Sequence, residues 1–289
     1  MKKNSTPYIM LAPGTILMLV LVFYPILRTF LYSLQKMKLT EPGNTKFIGL
    51  HNYITILQDP DFWYALSNSV VILVSVVLFT AIVGMLIALL LNVDTKVKGI
   101  LMAIAIIPWS LPPIVNGVMW RWIFHPSYGL MNRILLNLSI ISEPVQWLSE
   151  RWSVIFITAV VVAWRCIPFC SIVILSAMQS IPTQVYESAC IDGSSSFQTF
   201  KRITLPLLMP SLGIVLTNTS ITAINVFDEI VSLSGYGDVS KTLMLQAYLK
   251  TFSFLDYGMG SAMTYIIMIF AGVLGLIYIR NVYREVDYI

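Results

Sequence analysis

Hydrophobic residues run along this chain in long blocks separated by short polar stretches. Six blocks predict membrane-spanning helices, at 9–27, 70–91, 100–124, 153–178, 211–232 and 261–279. The block at 70–91 sets the scale: about 22 mostly apolar residues, rising about 1.5 Å each, cross a hydrocarbon core of about 30 Å. Pro13 and Pro25 fall near the ends of the first block, where neighbours or interfacial water replace a lost backbone hydrogen bond. Pro108, Pro112 and Pro113 instead break the third. Proline at that depth requires other protein or a cavity to satisfy the freed carbonyls, so this span is expected to face the bundle interior. Lys2 and Lys3 precede the first block as in a secretory signal, but no small-residue cleavage site follows, and a retained span is expected.

Between the blocks, 33–66 reads as a polar and aromatic loop, and 92–99, with Asp94, Lys96 and Lys98, as a tight turn. The stretch 121–151 carries Trp and Tyr near its ends, matching the aromatic belt of a membrane interface, and Arg280 and Arg284 anchor the end of the sixth block. The stretch 180–210 is different, a long polar interruption with turn and cap signals in order. Ser180 and Pro182 can open a helix that continues over 185–191, and Gly193 accepts the left-handed backbone that ends it. Ser195 and Gln198 match a capping box, and Phe197, Phe200 and Ile203 then recur at helical spacing until Pro206 and Pro210 punctuate the chain. Two short helices meeting at a glycine turn are expected. Glu187 and Asp192 would be held outward, while Ala189 and Ile191 would leave an apolar knob suited to a partner's groove. The plainer reading is an amphipathic surface hairpin with no partner.

Composition narrows the class. Of 289 residues, 57% are hydrophobic and 11% charged, against about a quarter charged in ordinary soluble domains, so the chain reads as all-α and polytopic. The net charge of +4 is small and spread out and gives no nucleic-acid signal. Cys166 and Cys170 lie one helical turn apart in an apolar run, and with Cys190 they are expected to be packing residues rather than a disulfide. His51 and His125 sit in different loops and offer little for a metal site. No GxxxxGK[ST] phosphate loop is present, so a driving force from ATP would have to come from another chain. No nucleophile, base and orienter constellation suggests an enzyme.

The polar interruption resembles the cytoplasmic coupling loop of binding-protein-dependent ABC importer permeases, whose pattern is Glu-Ala-Ala, two residues, Asp-Gly-Ala, a gap and Ile-x-Leu-Pro. Here it stands as Glu187, Ser188 and Ala189, then Asp192, Gly193 and Ser194, then Ile203, Thr204, Leu205 and Pro206. Pro108 and Trp109, Pro112 and Pro113, Trp120, Gly129, Asn132, Trp164, Pro168, Phe169 and Phe227 to Glu229 extend the likeness to the sugar-type permeases. Within these, the first membrane subunit of maltose, lactose and glycerol-3-phosphate importers is most similar. Gly235-Tyr236-Gly237-Asp238 departs from the glycine triplet and proline usual after the fifth span. The resemblance implies a type I ABC importer transmembrane domain with six transmembrane helices. It has a first helix and outer loop at 1–67, a core at 68–284 and a cytoplasmic tail at 285–289. It also implies a second permease subunit, two ATP-binding-cassette ATPase subunits that carry ATP and Mg, an extracytoplasmic solute-binding protein, and a bacterial inner membrane location with both termini cytoplasmic. A bare count of basic residues does not settle that orientation; only the shorter loops on the proposed inner side favour it.

A path for solute is expected between the fourth and fifth spans. Arg165 lies in the middle of the fourth, where an arginine costs about 2.5 to 3.5 kcal/mol on insertion scales and must face protein or water. With Trp164, Pro168 and Phe169 it offers an aromatic platform and a donor fork suited to hydroxyl-rich rings, or else it is locked in an interhelical hydrogen-bond network. On the fifth span Asn218, Thr222, Asn225 and Glu229 fall on one helical face, with Thr219 beside it. Such residues can equally be interhelical glue. Arg165, about 18 Å below the outer end of its span, is expected level with Thr219 to Thr222 rather than with Asp228. The resemblance implies solute contacts at Trp164, Arg165, Phe169, Thr219, Thr222, Ala223 and Val226, to which the polar face adds Asn225. The alternative is a secondary transporter driven by an ion gradient, which needs acids at mid-depth. Asp228 and Glu229 read as lying near an outer end.

Overall fold

The computed structural model describes residues 6–41, 43–93 and 95–283; Lys2, Lys3, Asp94, Arg284 and the tail at 285–289 lie outside the described residues. In chain order the elements begin with α1 (Thr6–Met18), α2 (Tyr24–Ser33), the strands β1 (Gln35–Lys36) and β2 (Lys46–Phe47), α3 (His51–Gln58) and α4 (Pro60–Leu91). Then follow α5 (Lys98–Ser110), α6 (Pro113–Ile123), α7 (Leu130–Asn137), α8 (Arg151–Gln179), α9 (Thr183–Ile191) and α10 (Ser196–Thr199). The chain continues with α11 (Leu205–Ile224), α12 (Asp228–Ser234), α13 (Leu243–Tyr248) and α14 (Tyr257–Tyr283). Among the described residues five helical runs are long and apolar enough to cross a membrane, and six if α5 and α6 form one span. The chain divides into two compact units, residues 1–63 with 246–268, and 64–245 with 269–289.

In the first unit, the run Met10–Ser33 has no buried residue in its apolar window. The stretch expected as a loop at 33–66 is ordered: β1 and β2 pair antiparallel, α3 follows, and α4 starts at Pro60. Its polar character serves internal hydrogen bonds. The buried Asn52 amide donates to Ser33 O at 2.8 Å and Gln35 O at 2.9 Å, so one α3 side chain closes off carbonyls at the end of α2. The Tyr265 hydroxyl donates to Ile26 O at 2.6 Å while its ring meets Phe30 at 5.3 Å.

In the second unit, α4, α8 and α11 converge on Ala88, Leu91, Ile174, Leu175, Leu208 and Val215. Lipid tails are as apolar as leucine, so these contacts hold by close packing and dispersion rather than by escape from water. A second cluster joins Phe124 to Ile157, Val161 and Leu233, flanked by Trp120 and Trp147. The third apolar block is not one straight span. It bends by 98° between α5 and α6, where Leu111 and Pro112 turn extended. Proline removes a donor at the bend and forbids helical geometry in the residue before it. Both halves of this block pack on the chain's own helices, though unequally: α5 lies along α8 with Met102 and Ala105 half-buried against the apolar cluster, whereas α6 fully buries Asn116 and Gly117.

Gly117 is where α6 meets α12. A Cβ there would lie 1.7 Å from Ser232 Oγ and 2.8 Å from the Glu229 carbonyl oxygen. The second obstacle is backbone and cannot rotate away, so Gly117→Ala is expected to push the two helices apart at about 1–3 kcal/mol. Heat denaturation of the assembled complex in detergent checks this. Ser232→Gly should restore only part of the loss, because the carbonyl remains.

Candidate functional site

The hairpin between α8 and α11 is built from its caps. Pro182 (φ −60°, ψ 138°) turns the chain into α9, and Gly193 at φ +73° ends it. The Gly193 N–H donates to Cys190 O at 3.1 Å and the Ser194 N–H to Ala189 O at 3.0 Å, the two bonds of a Schellman cap. The capping box forms as read from sequence: Gln198 N–H donates to Ser195 Oγ at 3.3 Å, and Ser195 N–H to Gln198 Oε1 at 2.9 Å. Two details differ. The second helix is not short, because a π turn over Phe200–Thr204 carries α10 straight into α11. Pro206 has no N–H to return to the preceding turn, and Leu205 N–H instead reaches back to Phe200 O. The apolar knob also differs, since Ala189 is buried and cannot protrude. Ile191, 87% exposed, and Phe197, 72% exposed, form it instead. Glu187, Ser188 and Asp192 are exposed as expected, and Ser194 is half-buried. Cys190, expected to pack, is exposed, while Cys166 and Cys170 are buried.

The solute path needs a larger correction. Helix α11 stops at Ile224; Asn225 caps it, Phe227 takes φ −140° and ψ −60°, and α12 restarts at Asp228 and packs on α6 and α8. Glu229 therefore leaves the face of Asn218, Thr222 and Asn225, and a straight-helix measure of depth fails beyond residue 224. The break brings Glu229 to Arg165: Nε and Nη2 both donate to Oε1, at 2.9 and 2.8 Å, with the Glu229 side chain 4% exposed and that of Arg165 17%. The expected level of Arg165, with Thr219 to Thr222 rather than with Asp228, is therefore corrected: the guanidinium is held in an interhelical ion pair by Glu229, the residue next to Asp228.

The other candidates lie on α8, on α11 and in the break between α11 and α12. Trp164 is half-buried, edge-on to Trp120 at 5.7 Å, and Trp120 stacks on Phe124 at 5.9 Å. Phe169 meets Trp109 at 6.3 Å. Thr219, Ala223 and Val226 are buried within this chain, Thr222 is half-buried and Asn225 exposed. The Thr222 hydroxyl donates to Asn218 O and the Asn225 amide to Ile221 O, which satisfies both within their own helix. Asn116 and Thr158, which sequence reasoning passed over, belong to this part of the fold, together with Trp120, read there only as part of the family likeness. Asn116 Oδ1, Trp120 Nε1 and Thr158 Oγ1 are buried without a hydrogen-bond partner among the described residues. Asn116 donates to Val161 O at 3.1 Å, tying α6 to α8. Its signal was available as a lone amide inside an apolar run.

Known proteins share this architecture. A crystal structure of a bacterial ABC transporter involved in the import of the acidic polysaccharide alginate includes a chain of the same fold, at a TM-score of 0.82 and 24% identity, covering 99% of this chain and 98% of that one. The trehalose/maltose transport system permease protein MalF of Thermococcus litoralis is 35% identical over 94% of this chain and 92% of its own length. The sulfoquinovosyl glycerol transport system permease protein SmoG of Agrobacterium fabrum is 33% identical over 94% and 88%. Residues 80–288 match the family described as the binding-protein-dependent transport system inner membrane component. With that match over most of its length, the chain belongs to this family of membrane-spanning ABC importer permeases.

Proposed function

We propose that this chain is one transmembrane half of an ABC importer that carries a sugar, as a mono-, di- or oligosaccharide, into the cytoplasm. The observation that carries the reading is the rigid, doubly capped hairpin of α9 and α10, offering exposed Ile191 and Phe197 beside the carboxylates of Glu187 and Asp192. Such a knob suits the groove of a separate ATPase subunit, with Glu187 meeting a basic residue there. Two such ATPases hold the ATP and Mg; this chain is non-catalytic and contributes no cofactor site. A second permease subunit completes the path, and an extracytoplasmic binding protein delivers solute. Closure of the nucleotide sites moves the hairpin as a rigid body, and the bundle changes the side on which it opens. Both termini and the hairpin then lie on the cytoplasmic side of the inner membrane.

Sugar is supported by the names of the relatives and by the half-buried aromatic rings of Trp164 and Phe169, which flank Arg165 within about one turn of α8. An ion-gradient mechanism would need an unpaired carboxylate at mid-depth, and Glu229 is paired with Arg165. The test is a survey of which saccharides stimulate ATP hydrolysis by the whole complex with its binding protein; stimulation by none of them removes the sugar reading. Separately, a thiol introduced by Ser194→Cys should react with membrane-impermeant reagents only from the cytoplasmic side. Labelling of intact cells from outside would reverse the orientation.

A further inference from the structure

We propose that the first unit carries a binding site for the headgroup of an anionic phospholipid, in the basic pocket between β1, α3 and the turn before α14. The pocket has a volume of about 610 Å³ and gathers Lys36, Lys38 and Lys250 from two separate stretches of chain, with His51 and Asn52 from α3. Lys36 bonds Glu41 at 3.2 Å and Lys38 faces Asp256 at 3.6 Å, whereas Lys250 sits over the ring of Phe254 and reaches no carboxylate among the described residues. Three ammonium groups thus meet two carboxylates, and one positive charge is left for an anion. The backbone around the pocket is stitched into place. Leu39 N–H donates to Leu255 O at 3.0 Å, Asp256 N–H to Lys250 O at 2.9 Å and Gly258 N–H to Met37 O at 3.2 Å. These bonds hold Leu255 at φ +53°, a conformation that disfavours an ordinary side chain and recurs where a site over-determines its backbone.

Depth and surface character select the ligand. Lys36 lies three residues beyond the end of the run Met10–Ser33, and Asp256 directly precedes the run Tyr257–Tyr278, so the pocket sits at the level where two spans leave the hydrocarbon and phosphates lie. Helix α3 turns Asn52 and Ile56 inward and leaves Leu50, Ile54 and Leu57 exposed on its opposite face, with Phe47 exposed beside them. An exposed apolar stripe next to a lysine pocket at that depth is the pattern of a helix lying in the membrane surface, acyl chains under the stripe and headgroup in the pocket. A soluble anion would use the pocket and leave the stripe in water.

Native mass spectrometry of the complete complex in detergent tests this, titrating phosphatidylglycerol against phosphatidylcholine. The wild type should retain phosphatidylglycerol about fivefold better, and Lys36→Gln combined with Lys250→Gln should abolish the preference. Lys250→Arg, which keeps the charge, should preserve it, and Lys250→Gln alone should lower it if the double variant does not assemble. Leu50→Ser with Ile54→Ser should weaken retention of both lipids. An unchanged preference in the lysine variants overturns the proposal. So does displacement of phosphatidylglycerol by equimolar inorganic phosphate, or a loss in the same variants of binding-protein affinity with lipid preference intact.

Discussion

Gly193→Val is expected to leave membrane insertion and subunit assembly intact while reducing solute-stimulated ATP hydrolysis and uptake tenfold or more. The expectation follows from where the cost falls. No atom lies within 4 Å of the position a Cβ would occupy, so the side chain meets no clash and the penalty is purely conformational, at φ +73°. For a non-glycine residue that backbone costs roughly 1–2 kcal/mol, and a β-branched one stands at the upper end. That amount is too small to unfold a bundle held by the α4, α8 and α11 contacts. It is comparable to the net worth of the two hydrogen bonds of the Schellman cap, about 0.5–1.5 kcal/mol each, which the chain can give up locally by letting the last turn of α9 unwind. Unwinding would move Ile191, and with it the proposed contact to the ATPase. Since 1.4 kcal/mol is a factor of ten in a population, a penalty in this range is enough to make the docked geometry the minor one. Gly193→Asn, which tolerates left-handed backbone, should retain most coupling. ATPase assays of the purified complex with and without solute give the answer, and wild-type stimulation in the valine variant would show that the cap does not position the hairpin.

The hairpin was legible because its signals are local. Gly193, the Ser195 and Gln198 box and Pro182 each act on hydrogen bonds within a few residues, and the cap geometry follows their order along the chain. What could not be read there was which apolar side chain protrudes: Ala189 and Ile191 are two residues apart, and only the packing of α9 decides that the first is buried and the second exposed. The spans were legible by length, with their ends extended by a few residues. Two depart further: α11 ends at Ile224, eight residues short of the end of its apolar block, and α4 begins at Pro60, ten residues before its own, because polar residues near its start are satisfied elsewhere in the fold. Asn68, for example, donates to Lys241 O at 2.8 Å and accepts from Arg151 Nε at 2.8 Å. The solute path was the least legible part. Its geometry depends on breaks at Leu111–Pro112 and at Asn225–Phe227, and only the first has a proline to announce it. Once α11 ends at Ile224, every argument that continued its helical phase to Glu229 loses its footing.

That same break makes the Arg165 and Glu229 pair the second site of large effect, and a double-mutant cycle should expose it. Either Arg165→Ala or Glu229→Ala strands a single charge among buried helices, a change that costs about 3–5 kcal/mol in a protein interior. Removing both charges together, as Arg165→Met with Glu229→Leu, leaves no orphan and is expected to recover most of that loss, because apolar side chains of similar volume suit the site. The cycle is measured by heat denaturation of the assembled complex, with transport recorded alongside. If the pair does no more than lock α12 against α8, the double variant regains stability and transport together. If the guanidinium also meets the solute, stability returns while transport stays low with a raised KM. Equal stability of both single variants and the wild type would mean that water reaches the pair and solvates each charge alone, and the ion pair would then hold neither the helix break nor the path beside it.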